Sequence, residues 1–154
     1  MKDYNNNYKP YNKSSFQNNE KLNPLEKVRV INIPLHEYYK DKEQLYMPIT
    51  GISYTMAMNF NKIAPSQLRK ILDESKKYTK ELDSGADFEK VQSKIFSLLP
   101  LAAYNAGRMK ELQPLFEFLY EHLNKNSIQD KQDIDVFDEL FTSIIAYHKY
   151  LTKR

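Results

Sequence analysis

The sequence predicts an all-α protein, a compact bundle of about five helices with a flexible N-terminal extension. Three observations carry this expectation. The 154-residue chain has only three glycines, which is too few for the many tight turns of a β-sandwich or barrel. Its apolar fraction of 41% supports one hydrophobic core at this length but not two domains. From about residue 45 onward, apolar residues recur at helical spacing.

The first part of the chain is polar, so we divide the sequence into a largely disordered extension over residues 1–44 and a helical bundle domain over residues 45–154. Residues 1–24 contain seven asparagines and too few apolar side chains to repay the entropy of ordering. A flexible tail is the simplest interpretation of this segment. The alternative is an RNA-contacting arm whose tyrosines stack on bases, namely Tyr4, Tyr8 and Tyr11.

The next residues lead into the bundle. Val28, Val30 and Ile31 predict a linker or a short strand, broken at Pro34. The first helix is expected over residues 50–61, where apolar side chains repeat at every fourth position.

The second helix is expected to open at Pro65 and Ser66, because proline is tolerated in the first turn of a helix. It runs to about residue 82 and is followed by the segment "DSGAD", which supplies a turn glycine and an aspartate cap. The third helix is expected over residues 88–106. Pro100 should kink it at a cost of about 3 kcal/mol, and Gly107 should close it in the left-handed conformation.

Two more helices complete the predicted bundle. The fourth follows Gly107 and carries apolar residues at helical spacing from Leu112 to Leu123. The last is expected over residues 133–152, with an inward stripe that includes His148. A single histidine on an apolar stripe is usually a hydrogen-bonded core residue, and a functional contact is the alternative.

Composition excludes several classes of protein. The chain has no cysteine, which rules out disulfide scaffolds, cysteine nucleophiles and thiolate metal sites. No stretch is apolar enough for a membrane span, and no signal-peptide core is present at the N-terminus. We expect a cytoplasmic protein that does not contact membranes. The net charge of +3 is low for an autonomous nucleic-acid binder, so any such contact must be local or shared with partners.

Catalytic patterns are missing from the sequence. His36, His122 and His148 are scattered and form no metal-binding motif. There is no nucleophile elbow, no Walker loop and no carboxylate pair in an apolar stretch. We therefore expect no enzymatic activity, no catalytic residue, no metal site and no cofactor.

Basic residues are concentrated on the second helix. Helical-wheel arithmetic places Arg69, Lys76 and Lys80 within an arc of about 40° beside the apolar face, while Lys70 and Lys77 form another pair. Such charges often form only a solvated face. They are also suited to following a phosphate backbone without reading bases.

Three fragments, in this order, resemble the small subunit of type III-A CRISPR effector complexes. They are "SQLRKILDE" (66–74), "LLPLAAYNAGR" (98–108) and "FTSIIAYHKY" (141–150). The resemblance covers about residues 45–154. It implies an all-helical, non-catalytic protein that stacks in several copies along a ribonucleoprotein filament, beside the guide RNA and its target RNA. Catalysis in that family belongs to other subunits of the complex.

The resemblance also implies which residues contact RNA. Arg69 in "QLRK" and Arg108 in "YNAGR" match positions that line the nucleic-acid channel, and Lys70, Lys76 and Lys149 extend this set by proximity. Without the resemblance, a cation such as Arg108 near a helix C-terminus would be explained by the helix dipole.

Two other functions stay open at this point. One is a protein-protein adaptor in which the basic residues are only solvated. The other, less favoured, is a small metal-dependent nuclease with an unrecognised site.

Overall fold

The computed structural model of the protein describes residues 23–152. No strand occurs among these residues, so the all-α prediction is confirmed. The predictions made for residues 1–22, including the tyrosine arm, lie outside the described residues. The helices are α1 (Leu35–Tyr38), α2 (Lys42–Tyr46), α3 (Ile52–Asn59), α4 (Pro65–Asp83), α5 (Phe88–Phe96), α6 (Leu98–Arg108), α7 (Gln113–His122) and α8 (Lys131–Thr152), with 3-10 turns at Pro24–Lys27 and Lys110–Leu112.

The long helix α8 forms the spine of the core and packs against α3 and α4. Its inward side chains Phe137, Phe141 and Ile144 are at most 2% exposed. The ring centroids of Phe137 and Phe141 lie 5.6 Å apart, and Phe118 of α7 lies 5.9 Å from Phe141. Phe60, directly after α3, meets Phe118 edge-on at 5.7 Å. These aromatic contacts join the three helices into one core.

The boundaries of α4 follow the prediction. The helix begins at Pro65. Proline has no backbone N–H, and this costs no hydrogen bond at the start of a helix, where an N–H has no intrahelical acceptor. It ends at Asp83, and Gly85 then makes the turn with a φ of 93°, a conformation that glycine adopts without steric cost.

The predicted third helix, residues 88–106, is two helices that meet at Ser97. Pro100 occupies the third position of α6 and does not bend a continuous helix. Because the N–H groups in the first turn of a helix have no intrahelical acceptor, proline removes no hydrogen bond there. The prediction of one continuous helix is wrong: the chain has a break at Ser97, three residues before Pro100, and the cost of about 3 kcal/mol for proline in a helix interior does not arise.

The prediction that Gly107 ends the helix in a left-handed conformation is also wrong. It lies inside α6, and Gly85 is the one glycine within residues 23–152 that has a positive φ. Helix α6 ends because the backbone of Met109 is extended, with φ −133° and ψ 107°.

Residues 31–39 form a strap that is folded onto the bundle, whereas the sequence predicted a largely disordered extension over residues 1–44. No strand forms at Val28, Val30 and Ile31, so of the two predicted alternatives, a linker or a short strand, the structure has the linker. The Ile31 N–H donates to the carbonyl of Glu121, and the Leu35 N–H donates to the carbonyl of Ser127, each at 2.9 Å. The side chain of Leu35 is fully buried. These partners lie about 90 residues away along the chain, so a local sequence pattern could not predict the contacts.

A buried carboxylate holds the strap to the start of α8. Asp133 is 0% exposed. Its Oδ1 accepts hydrogen bonds from the backbone N–H of His36 at 3.0 Å and from His36 Nδ1 at 2.6 Å. Its Oδ2 accepts the N–H groups of Gln129 at 2.8 Å and Asp130 at 3.2 Å. Asp130 accepts the N–H of Asp133 in return, so the two aspartates form a reciprocal capping box.

Replacing Gly107 by alanine is expected to raise the free energy of unfolding by about 0.5–1 kcal/mol. A Cβ at Gly107 would meet no atom within 4 Å, and alanine restricts the unfolded chain. Gly85→Ala is the matched control. Its new Cβ is equally free of contacts, but the φ of 93° makes it destabilising by about 1 kcal/mol. Urea denaturation of both variants measures this, and shifts of the same sign would contradict it.

The two hydrogen bonds between His36 and Asp133, which we call the clasp, are expected to make the free energy of unfolding depend on pH. The hydrogen bond from the ring to Asp133 is the main cause that raises the pKa of His36 above its ordinary 6.5. The stabilisation by the contact between His36 and Asp133 is therefore fully present below the pKa of His36 in the unfolded chain. It is lost as the pH rises through the pKa of His36 in the folded protein. We expect the stability difference between the unaltered chain and His36→Gln to shrink as pH is raised, measured by urea denaturation at each pH. A difference that grows with pH would contradict the clasp.

Candidate nucleic-acid interface

The five basic residues proposed from the sequence are all exposed. None of them forms an ion pair within the described part of the chain. Three other lysines are paired with carboxylates: Lys42 with Glu139, Lys94 with Glu81, and Lys131 with Asp83 and Asp135. The proposed residues therefore keep their charge available for a ligand: Arg69, Lys70, Lys76, Arg108 and Lys149.

Helix α4 distributes its cations to two sides of the molecule. Its buried face includes Leu68, Ile71 and Leu72. At 100° per residue, Arg69 lies beyond one edge of this face and Lys70 beyond the other. The predicted residues therefore do not form one continuous patch.

The register between α4 and α8 decides which cations are neighbours on the first side. The Asp83 carboxylate, at the end of α4, lies 3.1 Å from the Lys131 amine, at the start of α8. Further back in α4, Ser75 donates a hydrogen bond to Asp138 of α8. The two helices are therefore antiparallel, and the end of α8 lies beside the beginning of α4.

This antiparallel packing relates three of the predicted residues to the boundary between α4 and α8, which we call the seam: Arg69, Lys76 and Lys149. Lys149 is about 20° around α8 from Asp138, the residue that contacts α4. Because the helices are antiparallel, we infer that Lys149 lies toward the start of α4, the helix that carries Arg69 and Lys76. Burial raises the pKa of Asp138 above its ordinary value, and the positive charge of Lys76 lowers it in part. Lys76 thus has a carboxylate nearby, while Arg69 and Lys149 are the freer cations of the seam.

The second side is a groove between α4 and α6, which we call the α4–α6 groove. Lys70 lies on its α4 wall. Arg108 stands at the end of the exposed ridge of α6, on the same helical line as Leu101 of the groove wall. The residues that line the groove are Gln67, Lys70, Ile71, Leu101, Ala102, Asn105, Leu112 and Leu115.

An exposed aromatic side chain lies on the ridge beside the groove. The guanidinium carbon of Arg108 is 5.7 Å from the ring centroid of Tyr104, within the range of a cation–π contact. Tyr104 is 64% exposed, and Leu101 is 53% exposed one turn earlier. The ridge thus combines apolar surface with an unpaired positive charge.

Two cations that no sequence pattern singled out lie near each other in the fold. Lys62 precedes α4 and Lys110 lies in the 3-10 turn before α7. Both line a depression together with Asn59, Asn61, Glu111 and Pro114. Neither lysine lies on a long amphipathic helix, so no periodic signal in the sequence could have identified the pair.

The three histidines are each engaged in the fold. His148 is 2% exposed, and its Nε2 lies 3.0 Å from the Phe60 carbonyl, which confirms its prediction as a hydrogen-bonded core residue. The Nε2 of His122 lies 2.6 Å from the Tyr39 hydroxyl, and its Nδ1 donates to the Phe118 carbonyl. Full burial lowers the pKa of His122 to about 4, so the ring is neutral.

One group of described residues has the composition of a metal site. The ligand atoms of His36, Asp130 and Asp133 lie within 4.8 Å of one another. However, the carboxylate of Asp133 already accepts four hydrogen bonds. A cation would have to displace the donors that hold the strap and the start of α8, so we assign the group a structural role.

Within residues 23–152 no helix is long and apolar enough to cross a membrane. No curated protein and no solved structure matches the chain significantly. The family model described as Csm2 Type III-A matches residues 39–154, which is most of the chain and covers every one of the predicted contact residues. The chain therefore belongs to the Csm2 type III-A family, the small subunit of the type III-A CRISPR complex.

Proposed function

We propose that this chain is a non-catalytic, cytoplasmic subunit that stacks with copies of itself in the RNA-guided complex and contacts the guide and target RNA through their backbone. The observation that carries this proposal is the exposure of Arg69, Lys70, Lys76, Arg108 and Lys149 without an ion pair among the described residues. A cation left unpaired at a surface gains more from a phosphate than one already satisfied by a carboxylate.

The division of the cations over two sides supports a backbone contact. A surface that reads bases needs donors and acceptors converging on one base edge, whereas a phosphate contact needs only a positive charge within reach and can be made on either side. With a net charge of +3, one copy can neutralise only a few phosphates. Several linked copies raise the overall affinity because each further contact is intramolecular.

A non-catalytic role is supported by the engagement of the histidines. His36, His122 and His148 each spend at least one ring nitrogen on a hydrogen bond that holds the fold together. A general base must have its lone pair directed at a substrate proton. None of these three rings lies in the α4–α6 groove or the seam.

Assembly surfaces are supported by the loop between α2 and α3. Ile49 is 76% exposed and has a φ of 71°, which is unfavourable for a β-branched residue. Met47, two residues earlier, is 46% exposed. An apolar loop held in this way is suited to packing against another protein chain. The same observation favours the second candidate function, a protein-protein adaptor without an RNA role.

Substituting Arg69 and Arg108 by alanine in the reconstituted complex is expected to weaken RNA binding and to flatten its salt dependence. Each lost phosphate contact lowers the slope of log affinity against log salt by about 0.7 for single-stranded RNA. The measurement is RNA affinity at several salt concentrations. Lys94→Ala is the matched control, because Lys94 is exposed but paired with Glu81 at 3.0 Å. An unchanged affinity and slope in the double variant would favour the adaptor.

Purified protein incubated with labelled RNA and a divalent metal is expected to leave the RNA intact. We expect this because His36, His122 and His148 are engaged in hydrogen bonds that hold the fold together. Cleavage that is lost in an Asp130→Ala variant would contradict it and would establish the nuclease alternative. Gel analysis of the labelled RNA measures the outcome.

A further inference from the structure

We propose that Tyr104, backed by Arg108, is a stacking platform for one unpaired nucleobase of RNA bound along the α4–α6 groove. This inference rests on the proposed function, which assigns backbone contacts only. It adds a base contact and names the ligand as a single-stranded nucleotide.

The ring of Tyr104 is unusually open. Its 64% exposure is the highest of any aromatic side chain within residues 23–152. By contrast, the ring of the exposed Tyr38 meets that of Tyr39 edge-on at 4.8 Å. Tyr104 contacts the Arg108 guanidinium at 5.7 Å, and its exposed fraction leaves ring surface that a base can reach. Stacking on such a surface suits any base, because every base has a π surface.

The surroundings supply the other groups that a nucleotide requires. Arg108 can donate to a phosphate while it stays over the ring, and Lys70 provides a second positive charge on the α4 wall. Gln67 and Asn105 line the groove with amide groups. Side-chain amides offer a donor and an acceptor together, which matches the polar edge of a base.

Charge distinguishes a nucleotide from a protein partner at this place. None of the described residues that line the α4–α6 groove carries a carboxylate. The cations Lys70 and Arg108 have no ion-pair partner in the described chain. An aromatic ring beside unpaired cations is the combination that single-strand binding surfaces use. An apolar protein partner would leave both charges without a counterion.

The test compares Tyr104→Ala and Tyr104→Phe in the reconstituted complex, with target RNA that carries a fluorescent adenine analogue at successive positions. Tyr104→Ala is expected to weaken RNA binding about tenfold without changing the salt slope, and to relieve the quenching of the analogue at the stacked position. Tyr104→Phe is expected to retain both properties. Because Tyr104 is exposed and helical, thermal unfolding of the alanine variant should be unchanged.

Tyr38→Ala is the matched control. Tyr38 is an exposed tyrosine on the strap, which contacts the C-terminal end of α7 through Glu121, whereas the groove involves Leu115 near the start of that helix. This control should not alter RNA binding.

Two outcomes would overturn the stacking platform. If Tyr104→Ala leaves affinity and quenching unchanged while the Arg69 and Arg108 variants flatten the salt slope, RNA contacts only the backbone and the proposed function stands alone. If Tyr104→Ala instead prevents incorporation of the subunit into the complex, the ridge packs against protein. Unchanged RNA binding in all variants would contradict the proposed function itself.

Discussion

The apolar stripe of α8 is the constraint on which the rest of the structure depends. Its phenylalanines are too large to be covered by one neighbour, and they bury themselves against α3, α4 and α7 together. Once α4 lies antiparallel on α8, the charged side chains at the edges of both helices become neighbours. The positions of the surface cations are therefore a consequence of how the core is packed.

Sequence periodicity predicted the parts of the fold in which one helix face is buried. The stripes of α4 and α8 were assigned correctly because side chains such as Leu68 and Phe141 recur with the helical period and are both fully buried. The strap could not be predicted in this way. Its hydrogen bonds join Ile31 and Leu35 to residues of a distant loop, and such pairings leave no trace in local spacing.

Proline and glycine were interpreted correctly only where one conformational role was available. Pro65 and Gly85 have such roles, as a helix start and a left-handed turn. Pro100 was ambiguous, because the same residue fits the middle of a kinked helix or the first turn of a new one. The break at Ser97, which no residue pattern marks, decides between them. The candidate site has the same limit: single cations can be predicted, but the α4–α6 groove and the neighbourhood of Lys62 and Lys110 exist only in the folded chain.

The strap has a consequence for where the folding unit of this protein begins. The family match starts at residue 39, yet residues 31–38 supply five hydrogen bonds to the body of the protein, two of them from His36 to Asp133. A polypeptide cut at the family boundary would lack His36, which supplies two of the four hydrogen bonds to the Asp133 carboxylate. The family match and the folded unit therefore begin at different residues of this chain, because the strap that precedes residue 39 is held to the body by hydrogen bonds and by the buried side chain of Leu35.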